Sequence, residues 1–409
     1  MGRKILVVSQ RFWPETNQIN DICEGFAEKG CDIDVLCGKP YFPRGEFFEG
    51  YSSIKPSKEE HGRLTIYRAM DVKKNNTSSL TRFFNYTVFP IASLIRKRAL
   101  RKNQYDAVLI YQQSPVMMSW AGLKTGVKKR IPVTMMVEDV WPEKLYDEME
   151  VNSYLFNRFL TRISRKCYQR ATRLIVNSEN TGRYLAREME IAQSRIHFVP
   201  QFPYRTMDRE KVDENLLDRY AGSFNIMFIG DVTSEYSFDT VIEAAKRIDS
   251  HAVRDIRFII AGSGLALPEL KEQVDKLNLN DYFFFDEDVT AADMPRYAYV
   301  ADALFACTKM DKANSFSQPV LAANYLAAGR PLLLAMGSEF RKLIREASCG
   351  YASEPDDADG FYDNIMKLYK TPREKLREMG HNAKLYQREH FGREACIDEI
   401  YDIVFDEGH

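Results

Sequence analysis

The sequence predicts an α/β protein built from two Rossmann-like units of similar size, joined near residue 200. Three observations predict it. The chain has 409 residues, and at roughly 100–200 residues per domain two units is the natural number. Short continuous apolar runs such as Ile5-Leu-Val-Val8 alternate with stretches of helical spacing, the mark of parallel strands buried on both faces. The pattern is broken by Pro200 and Pro203 and starts again at Phe224-Asn-Ile-Met-Phe-Ile229, which marks a hinge between two repeats of one architecture.

In the first half, strands are predicted over 4–8, 33–36, 64–67, 105–110, 131–137, 174–176 and 196–199. A helix carrying Ile19, Ile22, Cys23 and Phe26 ends at Gly30, and others run through 120–127 and about 153–171. Residues 40–56, rich in Gly, Pro, Tyr and Phe, read as a long loop. In the second half, strands are predicted over 224–229, 256–260, 282–285, 303–306 and 331–334. Helices are expected at 238–247, 267–277, 292–299, 320–328 and 338–347, and then at 357–369, 373–389 and 391–406. Strands alternating with helices in this way form an open, mostly parallel sheet.

Hydrophobic residues make up 45% of the chain and charged residues 28%, ordinary values for a globular protein with real cores. The net charge of -1 argues against a nucleic-acid partner. Seven cysteines stand singly with no CxxC pair, which fits a reducing compartment better than a disulfide scaffold. The first apolar run is too short for a signal peptide, and no window reaches the roughly 18–20 apolar residues that cross a bilayer. The expectation is a cytoplasmic protein, with peripheral attachment to the inner face of the cell membrane left open.

Open α/β sheets bind ligands beyond the carboxyl ends of their strands, so the strand exits are where chemistry is expected. The first exit holds Gln10, Arg11 and Glu15; it reads either as an ordinary βα loop or as one facing an interdomain cleft. Glu138 and Asp139 follow the strand ending at Val137. Adjacent carboxylates there are either solvated or paired, and Asp139 suits a base, an electrostatic stabiliser or a helix cap. Gly230, and Gly262 with Gly264, end two strands of the second half and would let a phosphate approach backbone N–H groups. Lys309 sits just past a strand, where it could hold a phosphate. Ser315, Phe316 and Ser317 precede a helix N-terminus suited to an anion. Asn324 is the polar residue in an apolar helix and would want a partner such as a ribose hydroxyl. The six histidines are dispersed and no DxD pair follows a strand, so no metal or other cofactor is expected.

Residues 80–102 are apolar and aromatic and close on Arg96, Lys97, Arg98, Arg101 and Lys102. They read as a core helix with a basic tip, or as a surface that sits on anionic lipid with Phe83, Phe84, Tyr86, Phe89 and Ile91 inserting. Pro90 is expected to bend the segment, and the basic stretch from Arg158 to Arg173 could extend the patch.

Four segments in order carry a resemblance to a known family: KILVVSQRFWPE at the start, VEDVWPEK after the strand at 133–137, FIGDVTSEYSFDTVIEAAKRI with RFIIAGSG, and VTAADMPRYAYVADALFACTK followed by NYLAAGRP. The chain resembles the GT-B glycosyltransferases, and more closely family 4 in its bacterial surface-polysaccharide subgroup. The resemblance covers almost the whole chain. It implies two Rossmann-like domains facing each other across a cleft: an acceptor domain at 1–203, a nucleotide-sugar domain at 204–390, and a C-terminal helix at 391–409 returning to the first domain. It implies a nucleoside-diphosphate-sugar donor, with UDP-sugars favoured, a lipid-linked or polysaccharide-precursor acceptor, retention at the anomeric carbon, and no metal. Donor contacts would fall on Gly230, Gly262, Gly264, Ser315, Phe316, Ser317 and Asn324, catalysis on Glu138, Asp139 and Lys309, and the acceptor on Gln10, Arg11, Glu15 and Trp141. The family pattern of two glutamates seven residues apart is degenerate here, reading Phe316 and Asn324. Asp231 and Glu235 stand where a basic pair is usual. A non-catalytic GT-B protein that binds nucleotide sugar or supports a partner transferase is therefore the alternative, and a sugar-nucleotide epimerase a more distant one.

Overall fold

The computed structural model describes residues 2–42, 45–52, 57–72, 79–143, 145–146, 154–208, 212–290, 292–310 and 320–406, with backbone alone for 79–85, 154, 155 and 208. The chain divides into two units. The first runs to Pro200 and takes in the chain again from Glu394; the second runs from Gln201 to Arg393.

The first unit holds β1 (Lys4–Ser9), β2 (Asp32–Cys37), β3 (Ser57–His61), β4 (Leu64–Arg68), β5 (Ala107–Gln112), β6 (Val133–Val137), β7 (Arg173–Val176) and β8 (Ile196–Phe198), in the order β3-β4-β2-β1-β5-β6-β7-β8. All neighbours are parallel except β3, which is antiparallel to β4. β1 is central and buried along nearly its whole length, which is why it reads as an uninterrupted apolar run. β2 carries a buried carboxylate, Asp34, that accepts from Tyr105 Oη and Asn103 Nδ2 (both 2.6 Å) and so fixes the entry to β5. β3 reads Ser-Lys-Glu-Glu-His and has no apolar alternation to announce it. An edge strand needs none, and its charges discourage pairing with another chain.

The segment 79–96 is one helix, with Pro90 inside it, rather than two pieces separated at the proline. Tyr86 and Phe89 are core residues of this unit, which corrects the expectation that they insert into lipid. They lie three residues apart on the inner face, while Ile91 and Ile95, four apart, are exposed on the outer one. Phe83 and Phe84 lie outside the described side chains. A short helix at Glu179–Arg187 that the periodicity does not announce is capped by Ser178, whose Oγ accepts from Thr181 N–H. The last helix, Arg393–Phe405, packs on Gln18–Glu28: Phe26 and Tyr401 meet edge to face at 5.2 Å, and a Cβ on Gly25 would lie 2.7 Å from Ile397.

The second unit holds β9 (Phe224–Ile229), β10 (Ile256–Ala261), β11 (Phe283–Asp286), β12 (Ala303–Cys307), β13 (Leu332–Ala335) and β14 (Gly350–Ser353), ordered β11-β10-β9-β12-β13-β14 and all parallel. Its core fills both faces of this sheet. In each unit the strand order reverses once: between β1 and β5, and between β9 and β12. Such a switch point parts the two flanking loops and opens a crevice at the strand exits.

Candidate active site

The switch point of the second unit is closed by backbone. Ser237 N–H donates to Cys307 C=O at 2.8 Å, Lys309 N–H donates to Glu235 C=O at 3.3 Å, and Tyr236 bridges Thr308. These bonds put the exposed side chain of Lys309 beside the loop that leaves β9. Asp356 braces the same place, accepting from Ser237 Oγ at 2.5 Å and from Met310 N–H at 2.7 Å. The helix Val320–Ala328 is tied to the end of β9 through Tyr325, whose hydroxyl accepts from Ile229 N–H at 2.8 Å.

The exits of β9, β10 and β11 are zipped together. Gly230 N–H donates to Ala261 C=O, Gly262 N–H to Asp286 C=O and Val232 N–H to Ser263 C=O, at 2.8–3.0 Å. A Cβ on Gly262 (φ 152°) would lie 1.9 Å from Gly230 O, and one on Gly264 2.1 Å from Val232 O. The glycines are therefore demanded first by the chain's own backbone, with or without a phosphate. Gly230, Gly262, Gly264 and Lys309 lie along one edge of the sheet. Asn324 is buried in the helix behind it, and its Oδ1 accepts from Tyr204 N–H at 2.8 Å. One lone pair of its oxygen is thus engaged by backbone. Ser315, Phe316 and Ser317 lie outside the described residues.

The first unit builds its strand exits differently, from buried polar side chains. Glu15 Oε1 accepts from the N–H groups of Tyr41 (2.6 Å) and Phe42 (2.7 Å), while its Oε2 is buried without a hydrogen bond. Burial pushes the Glu15 carboxyl above its ordinary value, opposed by Arg11, by those two backbone bonds and by Arg68. Arg11 lies over the Phe42 ring at 3.6 Å, and Gln10 Nε2 donates weakly to Asp71 at 3.3 Å. At the exit of β6, Asp139 Oδ2 accepts from Ser114 N–H at 2.9 Å, and Glu138 Oε2 from Asn177 Nδ2 at 3.4 Å. Asp139 is thus not engaged as a helix cap; it fastens the exit of β6 to that of β5.

Trp141 is corrected from an acceptor contact to a core residue. It is 1% exposed among the apolar side chains of this unit, and its backbone N–H donates to Tyr168 Oη at 3.2 Å. The large ring fills the space beneath the loop that Asp139 holds.

Sequence reasoning passed over a cationic group at the exits of β2 and β4. Arg68 is 0% exposed and donates to both oxygens of Glu59 (2.5 and 2.8 Å) and to Trp13 C=O (2.6 Å). Lys39 Nζ donates to Ser57 Oγ at 3.1 Å, and Arg96 Nη2 to Ser57 C=O at 2.9 Å. The signal was available at Lys39, a cation two residues past a strand, as at Lys309. Arg68 and Arg96 gave none, since one is a strand residue and the other ends a helix.

No group of three or more His, Cys, Asp or Glu side chains suited to a metal ion occurs among the described residues. Two family models match the chain in tandem: Glycosyltransferase Family 4 over residues 16–202, and Glycosyl transferases group 1 over 212–386. With two α/β sheets of this topology, the chain is a GT-B fold glycosyltransferase, similar to family 4 and to enzymes of surface-polysaccharide biosynthesis. Among its relatives is WcaI of Escherichia coli, a glycosyl transferase named for colanic acid biosynthesis. It is 22% identical over 340 residues, covering 80% of this chain and 81% of WcaI. The α-D-kanosaminyltransferase of Streptomyces kanamyceticus is 20% identical over 245 residues, 58% of this chain; the match spans 61% of that relative, less than two thirds of its length. Sucrose-phosphate synthase from Thermosynechococcus elongatus superposes with a TM-score of 0.77 at 14% identity, covering 99% of this chain and 100% of that one. Anabaena HepE, solved with UDP and glucose, gives 0.71 at 13% identity, covering 98% of each chain.

Proposed function

We propose that the chain moves a sugar, with retention at the anomeric carbon, from a nucleoside-diphosphate sugar of the UDP type to a lipid-linked saccharide acceptor at a membrane surface. The second unit holds the donor and the first the acceptor. The observation that carries the reading is the switch point of the second unit, where Gly230, Gly262, Gly264 and the exposed Lys309 share one strand-exit edge. The Gly230 and Gly262 N–H groups are spent on the sheet, so it is the Lys309 cation that can neutralise a leaving diphosphate there without a metal. HepE, a fold neighbour, was solved with UDP-glucose, and WcaI is named for polysaccharide synthesis. Retention follows the family resemblance. Asp139 and Glu138 are the carboxylates offered to stabilise positive charge developing at the transferred carbon. Arg11, Gln10 and Glu15 shape the acceptor loop, and Ser315, Phe316 and Ser317 are offered as donor contacts with Asn324 behind them.

The membrane part rests on a surface of the first unit. The helices Ser79–Arg96, Trp120–Lys129 and Tyr154–Arg170 contain no Asp or Glu. They expose Ile91, Ile95, Val127 and Phe159 among many cations. Lys97 has its pKa lowered, first by partial burial and then by Lys124, Lys128 and Arg101, so positive charge is crowded there and an anionic surface would relieve it. No helix among the described residues is long and apolar enough to cross a membrane, and contact would be peripheral, at the cytoplasmic leaflet.

Isothermal titration with UDP-sugars in EDTA tests the donor. Binding is expected, with Lys309→Ala weakening it about tenfold, the value of one charge-assisted contact; no binding by any nucleotide sugar sinks the transferase reading. Sedimentation with phosphatidylglycerol vesicles tests the surface, and triple neutralisation of Arg96, Lys97 and Arg98 should abolish pelleting. Phe316 and Asn324 at the two glutamate positions of the family pattern, with Asp231 and Glu235 in place of the usual basic pair, favour the second reading, a GT-B protein that binds nucleotide sugar without turnover. Donor binding with no transfer to any lipid-linked acceptor would select it.

A further inference from the structure

The cations at the exits of β2 and β4 do not balance. Arg68 is neutralised by its two bonds to Glu59. Neither Lys39 nor Arg96 is ion-paired directly with a carboxylate among the described residues: each makes its hydrogen bond to Ser57, Lys39 to the hydroxyl, which itself donates to Glu59 at 3.2 Å, and Arg96 to the carbonyl. Lys39 is 4% exposed, and Arg96 Nε is buried with no hydrogen-bond partner. A buried ammonium with one neutral partner and an orphaned guanidinium N–H are both costly. Cationic neighbours add to the cost: burial depresses the Lys39 pKa first, then Arg68, with Arg96 contributing, while Glu59 and Cys37 oppose them only in part.

We infer that Lys39 and Arg96 hold a phosphate group beside Ser57, and that this group is the diphosphate of the lipid-linked acceptor. The second half of the inference rests on the acceptor reading above. An ammonium has three donors and Lys39 uses one; Arg96 keeps Nε–H in reserve. A phosphate oxygen accepting from both would convert two unmet donors into charge-assisted bonds. Ser57 and Arg96 are half-buried, so the pair opens to the surface on their side. Arg96 ends the helix whose outer face carries exposed Ile91 and Ile95. A polyprenyl chain lying along those residues would bring its diphosphate to Arg96 and Lys39.

The test is titration of the full-length protein with inorganic pyrophosphate, in EDTA and with saturating UDP to occupy the donor site. Wild type is expected to bind. Lys39→Met and Arg96→Gln should each weaken pyrophosphate about tenfold or more, with UDP affinity unchanged and Lys39→Arg retaining most of the binding. No binding by wild type, or affinities unmoved in both variants, overturns the site. If Lys39→Met fails a thermal-unfolding check, the half-buried Arg96→Gln decides alone. A polyprenyl-diphosphate saccharide in detergent separates the two halves. Tighter binding than pyrophosphate, lost in the same variants, supports the acceptor assignment. Affinity equal to pyrophosphate keeps the phosphate site and overturns the lipid-linked acceptor.

Discussion

The two units share a parallel core sheet with one reversal of strand order and build their strand exits by opposite means. In the second unit the exits are joined backbone to backbone, with glycines where the chains approach too closely for a Cβ. In the first unit the exits are fastened by side chains: Glu15 to the 41–42 loop, Asp139 to Ser114, Arg68 to Glu59 and Trp13, and Trp141 beneath. Backbone construction leaves an edge that is geometrically fixed and chemically bland, which suits a constant ligand such as a nucleoside diphosphate. Side-chain construction can be altered residue by residue, which suits an acceptor that differs between relatives. The comparison says where each unit is fragile, and substitutions can break it.

The largest effect is expected at Trp141. Trp141→Ala should cost the first unit about 4 kcal/mol in chemical denaturation, the range for a fully buried indole. Trp141→Phe should cost much less, about 1.5 kcal/mol, because the buried indole Nε1–H has no partner to lose. Equal losses would mean that the N–H, not the ring, supports the exit of β6. Next is Gly262→Ala in the second unit. The new Cβ would meet Gly230 O at 1.9 Å, and backbone cannot rotate away, so a loss of about 3 kcal/mol is expected. Gly230→Ala is the control: its nearest neighbour is the tip of Leu321 at 3.0 Å, and a loss below about 1 kcal/mol is expected. Similar losses at 230 and 262 would refute the backbone account of that edge.

The strands of both sheets were legible because a parallel strand buried on both faces has to be written in apolar residues. The elements missed are those where that rule lapses. β3 is a charged edge strand, β14 is a four-residue edge, and Glu179–Arg187 is too short to establish a period. The exits could be found as places, but their wiring could not. Asn324 takes its partner from Tyr204, and Asp139 from Ser114, 120 and 25 residues away. Nothing local in a sequence encodes such distant partners. Trp141 was assigned to the acceptor by the family resemblance of VEDVWPEK alone, whereas the folded chain buries its ring in the core of the first unit. Lys39 was legible by the same rule that found Lys309 and was passed over; its value depends on Arg96, 57 residues on, which only the folded chain brings to the same serine.

The smallest expected effect probes the side-chain edge through pH. Glu15 is held by two backbone N–H bonds at Oε1, but Oε2 is buried and unbonded, and burial raises the carboxyl above its ordinary 4.5. A raised carboxyl binds its proton more tightly in the folded than in the unfolded chain. Its contribution is therefore fully present below the unfolded value near 4.5 and is lost as pH rises through the higher folded value. Glu15→Gln keeps an oxygen for Tyr41 and Phe42 and removes the titration. The variant should gain on wild type as pH climbs from about 4 to 7, read as a growing difference in denaturation midpoint. A difference that shrinks over that window would mean that Arg11 and the two N–H bonds outweigh burial, so that the carboxylate itself stabilises the loop. A flat difference would mean that Glu15 carries the same charge in both states throughout, and the contrast between a side-chain edge and a backbone edge would then rest on Asp139 and Arg68.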